Sequence, residues 1–195
     1  MKFSPAKYRL LKTASRLFIA RGFSGVGIDE IIRQSKIAKA TFYRHFPSKE
    51  NLVETWLADI HENAELEQNR ILSGSDSPIG KVAASFDALG DYMQNNDFRG
   101  CPYSNSCAVS NSLETGIREQ IEQHKNSCRE FYRKLSFAIT GSEQDAAELG
   151  DRILILYSGA ATESQNVRDL WPIAAGRSAA LKLCRLSQRL PHQES

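Results

Sequence analysis

Long hydrophobic runs are missing from this chain. Nowhere do 18 or more apolar residues follow one another, so no spanning helix and no membrane partner are expected. The opening residues, Met1-Lys2-Phe3-Ser4-Pro5, hold no apolar signal core, which predicts a cytoplasmic protein. Cysteine is sparse: Cys101, Cys107, Cys128 and Cys184 show no short paired spacing, and in that compartment they are expected to be thiols. There is no Gly-rich phosphate loop, no nucleophile elbow and no His-Glu-x-x-His pattern, and the four histidines are scattered. An enzyme is therefore not expected, nor a cofactor or a metal.

A large net charge is absent too, the total being +2. Its distribution is uneven. Residues 1–57 carry eleven Lys and Arg against four Asp and Glu, while the rest of the chain carries fourteen against nineteen. A basic head on an acidic body directs anionic partners to the head and excludes a protein that wraps nucleic acid over its whole surface.

What is present is helical periodicity, and an all-α chain is predicted. With 195 residues and 41% hydrophobic content, it can form one compact domain plus a small satellite. Lys7–Arg21 reads as a helix with Leu10, Leu11, Ala14, Leu17 and Phe18 inward, Ser4 as N-cap, Pro5 at its first position and Gly22 just past its end. Ile28–Ser35 reads as a second, short helix, with Asp29 and Glu30 in its positive first turn. A tight turn at Ser35-Lys36 leads into a third helix from Ala38. That helix turns Phe42 and Phe46 inward with Ile37 and leaves Lys39, Thr41, Tyr43, Arg44 and His45 outside. Pro47 stops it, and Ser48 can cap a fourth helix with Lys49 in its first turn. Three short helices with a tight turn before a cationic third one form a helix-turn-helix unit, suited to a DNA major groove. Arg and Lys can bond guanine edges and phosphates, Thr can meet bases, and Tyr and His can hold phosphate oxygens.

Arg21-Gly22-Phe23, Ile28-Asp29-Glu30-Ile31 and the run Lys39-Ala40-Thr41-Phe42-Tyr43-Arg44-His45-Phe46-Pro47-Ser48-Lys49-Glu50-Asn51-Leu52 together resemble the N-terminal domain of TetR-family transcriptional regulators. The resemblance covers roughly residues 7–55. It implies a DNA-binding domain over residues 1–50 and a helical ligand-binding and dimerisation domain over 51–195. Lys39, Ala40, Thr41, Tyr43, Arg44, His45, Lys49 and Gly27 are the DNA-facing residues it implies. The partner is a double-stranded, roughly palindromic operator, which a homodimer leaves when a small apolar or aromatic inducer binds. Three positions depart from the family pattern. Gly27 stands where Ser or Thr is usual, Lys36 where Gly is usual, and Ala38 where Ser is usual. Two side-chain caps and one phosphate-facing hydroxyl are thereby lost, and Lys36 must make the turn without glycine's freedom.

The rest of the chain continues in helices. Glu50 to about Arg70 carries Leu52, Val53, Trp56, Leu57 and Ile60 at helical spacing and is expected to link head and body. Ile79–Gln94 follows the Ser- and Gly-rich segment Ser73–Pro78, and a short helix is expected near Asn105–Asn111. Glu114–Thr140 has the inward stripe Ile117, Ile121, His124, Cys128, Phe131, Leu135 and Ile139. His124 and Cys128, four apart, are zinc-ligand types, but two ligands make no site, and a buried His beside a core Cys is expected. Phe86, Leu89, Met93, Tyr103, His124, Cys128, Phe131, Tyr132 and Tyr157 are the candidate ligand-binding wall, each equally explicable as core. Ala146–Val167, apolar nearly all round in its middle, and Trp171–Leu190, closed by Pro191, are expected to pair across a two-fold axis, against the alternative of an ordinary monomer core. A second alternative makes Cys101 or Cys107 an oxidant or electrophile sensor, since a cation such as Arg99 favours a nearby thiolate.

Overall fold

The computed structural model of the chain describes residues 3–109 and 115–188, the side chains at 107–109 and 115 lying outside that set. Nine helices and no strands occur among the described residues: α1 Pro5–Arg21, α2 Ile28–Ser35, α3 Lys39–His45, α4 Lys49–Ser73, α5 Pro78–Asn95, α6 Pro102–Val109, α7 Thr115–Thr140, α8 Glu143–Val167 and α9 Trp171–Ser187. None of these is long and apolar enough to cross a membrane.

Contacts divide the chain into two compact units, with boundaries inside α4 and α7 as well as before α6. The first joins Met1–Asn63 to Cys101–His124, and the second joins Ala64–Gly100 to Lys125–Ser195. Structural compactness thus follows a different partition from the functional one expected at residues 50 and 51.

The first unit is built on α1. Ser4 accepts from the Lys7 amide at 3.3 Å and Pro5 opens the helix, so the orphan donors of its first turn are few. Leu10, Leu11, Ala14, Leu17 and Phe18 are buried, packed with Val26, Ile31, Phe42 and Phe46 from the next two helices and with Leu52, Val53, Trp56 and Leu57 from α4. Trp56 meets Phe18 edge to face at 5.1 Å, and its indole Nε1 donates to Ser15 Oγ at 3.1 Å. A buried indole keeps its hydrogen bond, which lets so large a ring sit at the centre of a small core. Tyr103, Ile117 and Ile121 complete the same core from α6 and α7.

In the second unit α5, α8 and α9 pack together around Val82, Phe86, Leu89, Met93, Leu149, Ile153, Ala160, Ile173, Ala180 and Cys184, with Phe131, Tyr132 and Leu135 from α7. Small residues set the spacing. A Cβ on Gly150 of α8 would stand 2.8 Å from the Arg133 backbone nitrogen of α7, closer than a Cβ carbon approaches. Asp151, the next residue, accepts from both Arg129 and Arg133, which staples α8 to α7.

The larger differences from the sequence expectation lie at α4, α6, α8 and α9. The short helix starts at Pro102 rather than near Asn105, because proline suits the first helical position; 110–114 lie outside the described residues. α8 begins at Glu143, three residues early, with Ser142 accepting from the Asp145 amide and two acidic residues in the first turn. The apolar run there begins later than the cap does. α4 extends to Ser73 and α9 stops at Ser187, Pro191 lying outside the described residues. Ile155, within the apolar middle of α8, is 71% exposed.

Candidate nucleic-acid interface

Three residues, 36–38, join α2 to α3, and the chain turns at the first of them. Lys36 adopts φ 53°, ψ 42°, the left-handed region, and its amide bonds back to Arg33. The Lys36 backbone therefore occupies a conformation that glycine takes freely and lysine at a cost. Gly27 before α2 and Ala38 before α3 give no side-chain cap, as their residue types require. α3 compensates through burial: Phe42 and Phe46 are fully covered, 6.0 Å apart, and Ile37 lies beside them. Seven residues make no stable helix alone, so this anchoring holds the surface of α3 in place.

On that surface Tyr43 and Arg44 are exposed, with Lys39 and Ala40 beyond them, while Thr41 and His45 are half-buried. The Phe42 ring braces Tyr43 edge to face at 5.3 Å. Lys39 pairs with Asp29 of α2 at 3.3 Å, both side chains well exposed, a bond that solvent keeps weak. α3 ends at His45; Phe46 is extended at φ −137°, ψ 99°, as the following Pro47 demands. The Asn51 amide donates to Ser48 Oγ at 3.1 Å, the expected cap of α4. Lys49 sits half-buried at that helix start, and burial pushes its ammonium below the usual lysine range.

Behind the surface, polar side chains fix α2 on α1. Arg21 donates to Glu30 at 2.6 Å, which holds that carboxyl below its usual range, and Gln34 donates to Glu30 at 2.9 Å while accepting from Arg16. These bonds join the two supporting helices and leave Arg44 outside them. Gly27 is exposed with nothing within 4 Å of a Cβ built on it.

The nine residues of the expected ligand wall fall in both units. Phe86, Leu89, Met93, Phe131 and Tyr132 are buried in the second, where Tyr157 stands 5.6 Å from Phe86 and 5.5 Å from Tyr132. Tyr132 donates to Ser85 Oγ at 3.3 Å, and burial pushes its phenol well above the usual range. Cys128 is half-buried and receives a long contact from Gln68 Nε2 at 3.7 Å. Tyr103 and His124 belong to the first unit, stacked at 3.8 Å. His61, which the sequence reading passed over, faces His124 there. Its position one turn after Leu57, on the buried stripe of α4, was the available signal. An open cleft of about 460 Å³ in the second unit is bordered by none of the nine; Glu67, Arg70, Ala84, Asp87, Ala88 and Asp91 line it. Among the described residues no group of three or more His, Cys, Asp or Glu could hold a metal ion.

Comparison with known proteins agrees with the helical fold. The sequence profile of bacterial regulatory proteins of the tetR family matches residues 10–55. An uncharacterised HTH-type transcriptional regulator of Lactococcus lactis is 27% identical over 140 residues, covering 69% of this chain and 70% of that protein. The Escherichia coli HTH-type transcriptional repressor NemR is 31% identical over 98 residues, 47% of each chain. Its reduced-form crystal structure superposes with a TM-score of 0.77 at 18% identity, covering 91% of this chain and 95% of that one. A TetR-family regulator from Streptomyces coelicolor superposes with a TM-score of 0.87 at 23% identity, over 94% of this chain and 96% of that one.

Proposed function

This chain belongs to the TetR family of DNA-binding transcriptional regulators, and on that premise we propose that it is a homodimeric repressor. It would leave a palindromic operator when a small apolar or aromatic molecule binds the region 51–195, the DNA-binding role residing in 1–50. The observation that carries the DNA-facing part is α3: Phe42 and Phe46 are locked inward while Tyr43 and Arg44 stand out on a basic head. Lys39, Ala40, Thr41, Tyr43 and Arg44 meet bases or the nearby backbone, and His45, Lys49 and the Gly27 amide region hold phosphates. Two such helices in a two-fold dimer lie about 35 Å apart, one turn of DNA. The dimer proposal rests on α8 and α9, where Ile155, Val167, Trp171 and Leu186 are exposed apolar residues. Ligand binding displaces α4, changes the separation of the two heads and removes the second contact. Such a regulator works where the chromosome is, in the cytoplasm.

Selection of bound duplexes from a random pool tests this. A palindrome is expected, and a bound sequence without two-fold symmetry would overturn the dimeric reading. With that operator, Arg44→Ala should relax base preference at one position per half-site, costing about 1–3 kcal/mol there. Lys49→Ala should weaken all sequences alike and lower the salt slope by about one.

A second reading has one support of its own. The likeness to NemR, whose structure was described as a reduced form, favours a thiol as the signal receiver. Cys101 is half-buried; Arg99, two residues before it, lies 3.9 Å from Asp97 and shares its charge there. The Cys107 side chain lies outside the described set. Cys184 is an unsuitable candidate, because burial pushes its thiol up to about 11. Operator binding unchanged after complete thiol alkylation would remove this reading.

A further inference from the structure

Residues 1–57 hold four acidic side chains among eleven Lys and Arg, and three of the four are half-buried. Glu30 accepts from Arg21 and Gln34 against α1. Glu54 lies so close to Gly116 of α7 that a Cβ there would stand 2.0 Å from its Oε1. Glu50 sits in the first turn of α4. Asp29 differs from all three. Its side chain is 86% exposed, and its Oδ1 accepts from Lys39 Nζ at 3.3 Å. Asp29 is the second residue of α2 and Lys39 the first of α3, so the pair spans both helices of the helix-turn-helix. A carboxylate on the cationic face is repelled by every phosphate that the head approaches. On a surface that only gathered phosphates it would work against binding.

Resting on the regulator reading above, we propose that Asp29 is a specificity-determining residue. With Lys39 it reads one G·C base pair in each half-site, the ammonium on the guanine edge and the carboxylate on the cytosine amino group. In the major groove guanine offers N7 and O6 as adjacent acceptors, and cytosine offers its N4 amino group as a donor. N4 and O6 are bonded to each other across the base pair, about 3 Å apart. Lys39 and Asp29, 3.3 Å apart, present the complementary order, donor beside acceptor. Neither has to leave the other, since the ammonium carries three donors and the carboxylate about four acceptor sites. An A·T pair places its donor between two acceptors, so the ammonium finds no adjacent acceptors there. Where cytosine is absent, Asp29 meets phosphates and base acceptors with nothing to accept from, and repulsion counts against that sequence. Solvent keeps the pair weak in the free protein, and a groove that excludes water strengthens both new bonds.

The test uses the full chain and duplexes selected from a random pool. The selected sequence should hold a G·C pair, at one position of each half-site, whose replacement by any other pair lowers affinity roughly tenfold. Asp29→Ala should reduce that loss to less than about threefold and leave the preferences at other positions unchanged within about twofold. Lys39→Ala should relax preference at the same base pair. In the double variant the preference should fall little further, because residues that act as one unit are not additive. A carboxylate that serves only as a surface charge or a helix-start residue behaves otherwise: Asp29→Ala then shifts affinity for all duplexes alike and every base preference stays. That result overturns the proposal, as do effects of Asp29→Ala and Lys39→Ala at different base pairs. Should the parent bind no duplex, the regulator reading fails and the proposal with it. Should it bind a palindrome with base preferences indifferent to Asp29→Ala, the proposal alone fails.

Discussion

Gly27 and Asp151 show what single residues contribute at opposite ends of the chain. At Gly27, φ −87°, ψ 154° is an extended conformation open to any residue, and a Cβ there meets nothing. Gly27→Ser should therefore cap α2 without strain and stabilise it by up to about 1 kcal/mol. In the proposed complex the new hydroxyl also reaches phosphate, so operator affinity measured by fluorescence anisotropy should rise roughly threefold or more. Asp151 accepts from Arg129 first and Arg133 second, and these guanidinium groups hold its carboxyl well below the usual carboxylate range. A depressed folded value places the stabilisation above the unfolded carboxylate value of about 4 and removes it as pH falls further. Asp151→Asn should accordingly lower the unfolding midpoint at neutral pH, with the difference from the parent shrinking below about pH 4. The side chain is 36% exposed, so solvent screening limits the effect to about 1 kcal/mol.

At the scale of elements, contact between helices depends on where side chains are missing. α8 approaches α7 so closely at Gly150 that an added methyl group strikes backbone at 2.8 Å and 2.9 Å rather than a movable side chain. Gly150→Ala should cost about 1–3 kcal/mol in denaturant unfolding, despite the better helix propensity of alanine. That cost would be carried by the second unit and should leave the spectra of α1–α3 unchanged. α3 shows the converse arrangement. It is too short to persist alone and lacks a side-chain cap, so Phe42 and Phe46 supply its stability from below. A DNA-reading surface on such a helix is only as rigid as the core beneath it.

For the whole molecule, the exposed apolar residues of α8 and α9 are what the proposed dimer rests on. Ile155 at 71%, Trp171 at 59% and Leu186 at 60% exposure on two adjoining helices suit a self-complementary face. In the proposed dimer, Ile155→Arg should give a monomer in sedimentation velocity. Operator affinity should then fall by roughly a hundredfold, since the second head no longer binds as part of the same particle. The head alone keeps its charge excess and should still bind DNA weakly at low salt.

Periodicity, proline and capping residues determined the helices from the sequence, because each is a local property: Ser4 with Pro5, Ser48 after Pro47 and the stripe of α1 lie where spacing placed them, while Ile60 of α4 and Cys128 and Ile139 of α7 are only half-buried. The charge asymmetry and the outward Lys39, Tyr43 and Arg44 of α3 were legible for the same reason, since a helix of known face sorts its own side chains; Thr41 and His45 are half-buried instead. Long-range contacts were not. The pairing of Asp151 with two arginines and the close approach at Gly150 depend on which helix lies alongside, and spacing within one segment carries no such information. The ligand wall divided between two units, and the meeting of His61 with His124, 63 residues away, belong to tertiary structure alone. Their partners are chosen by packing across the fold, after every local preference has already been met.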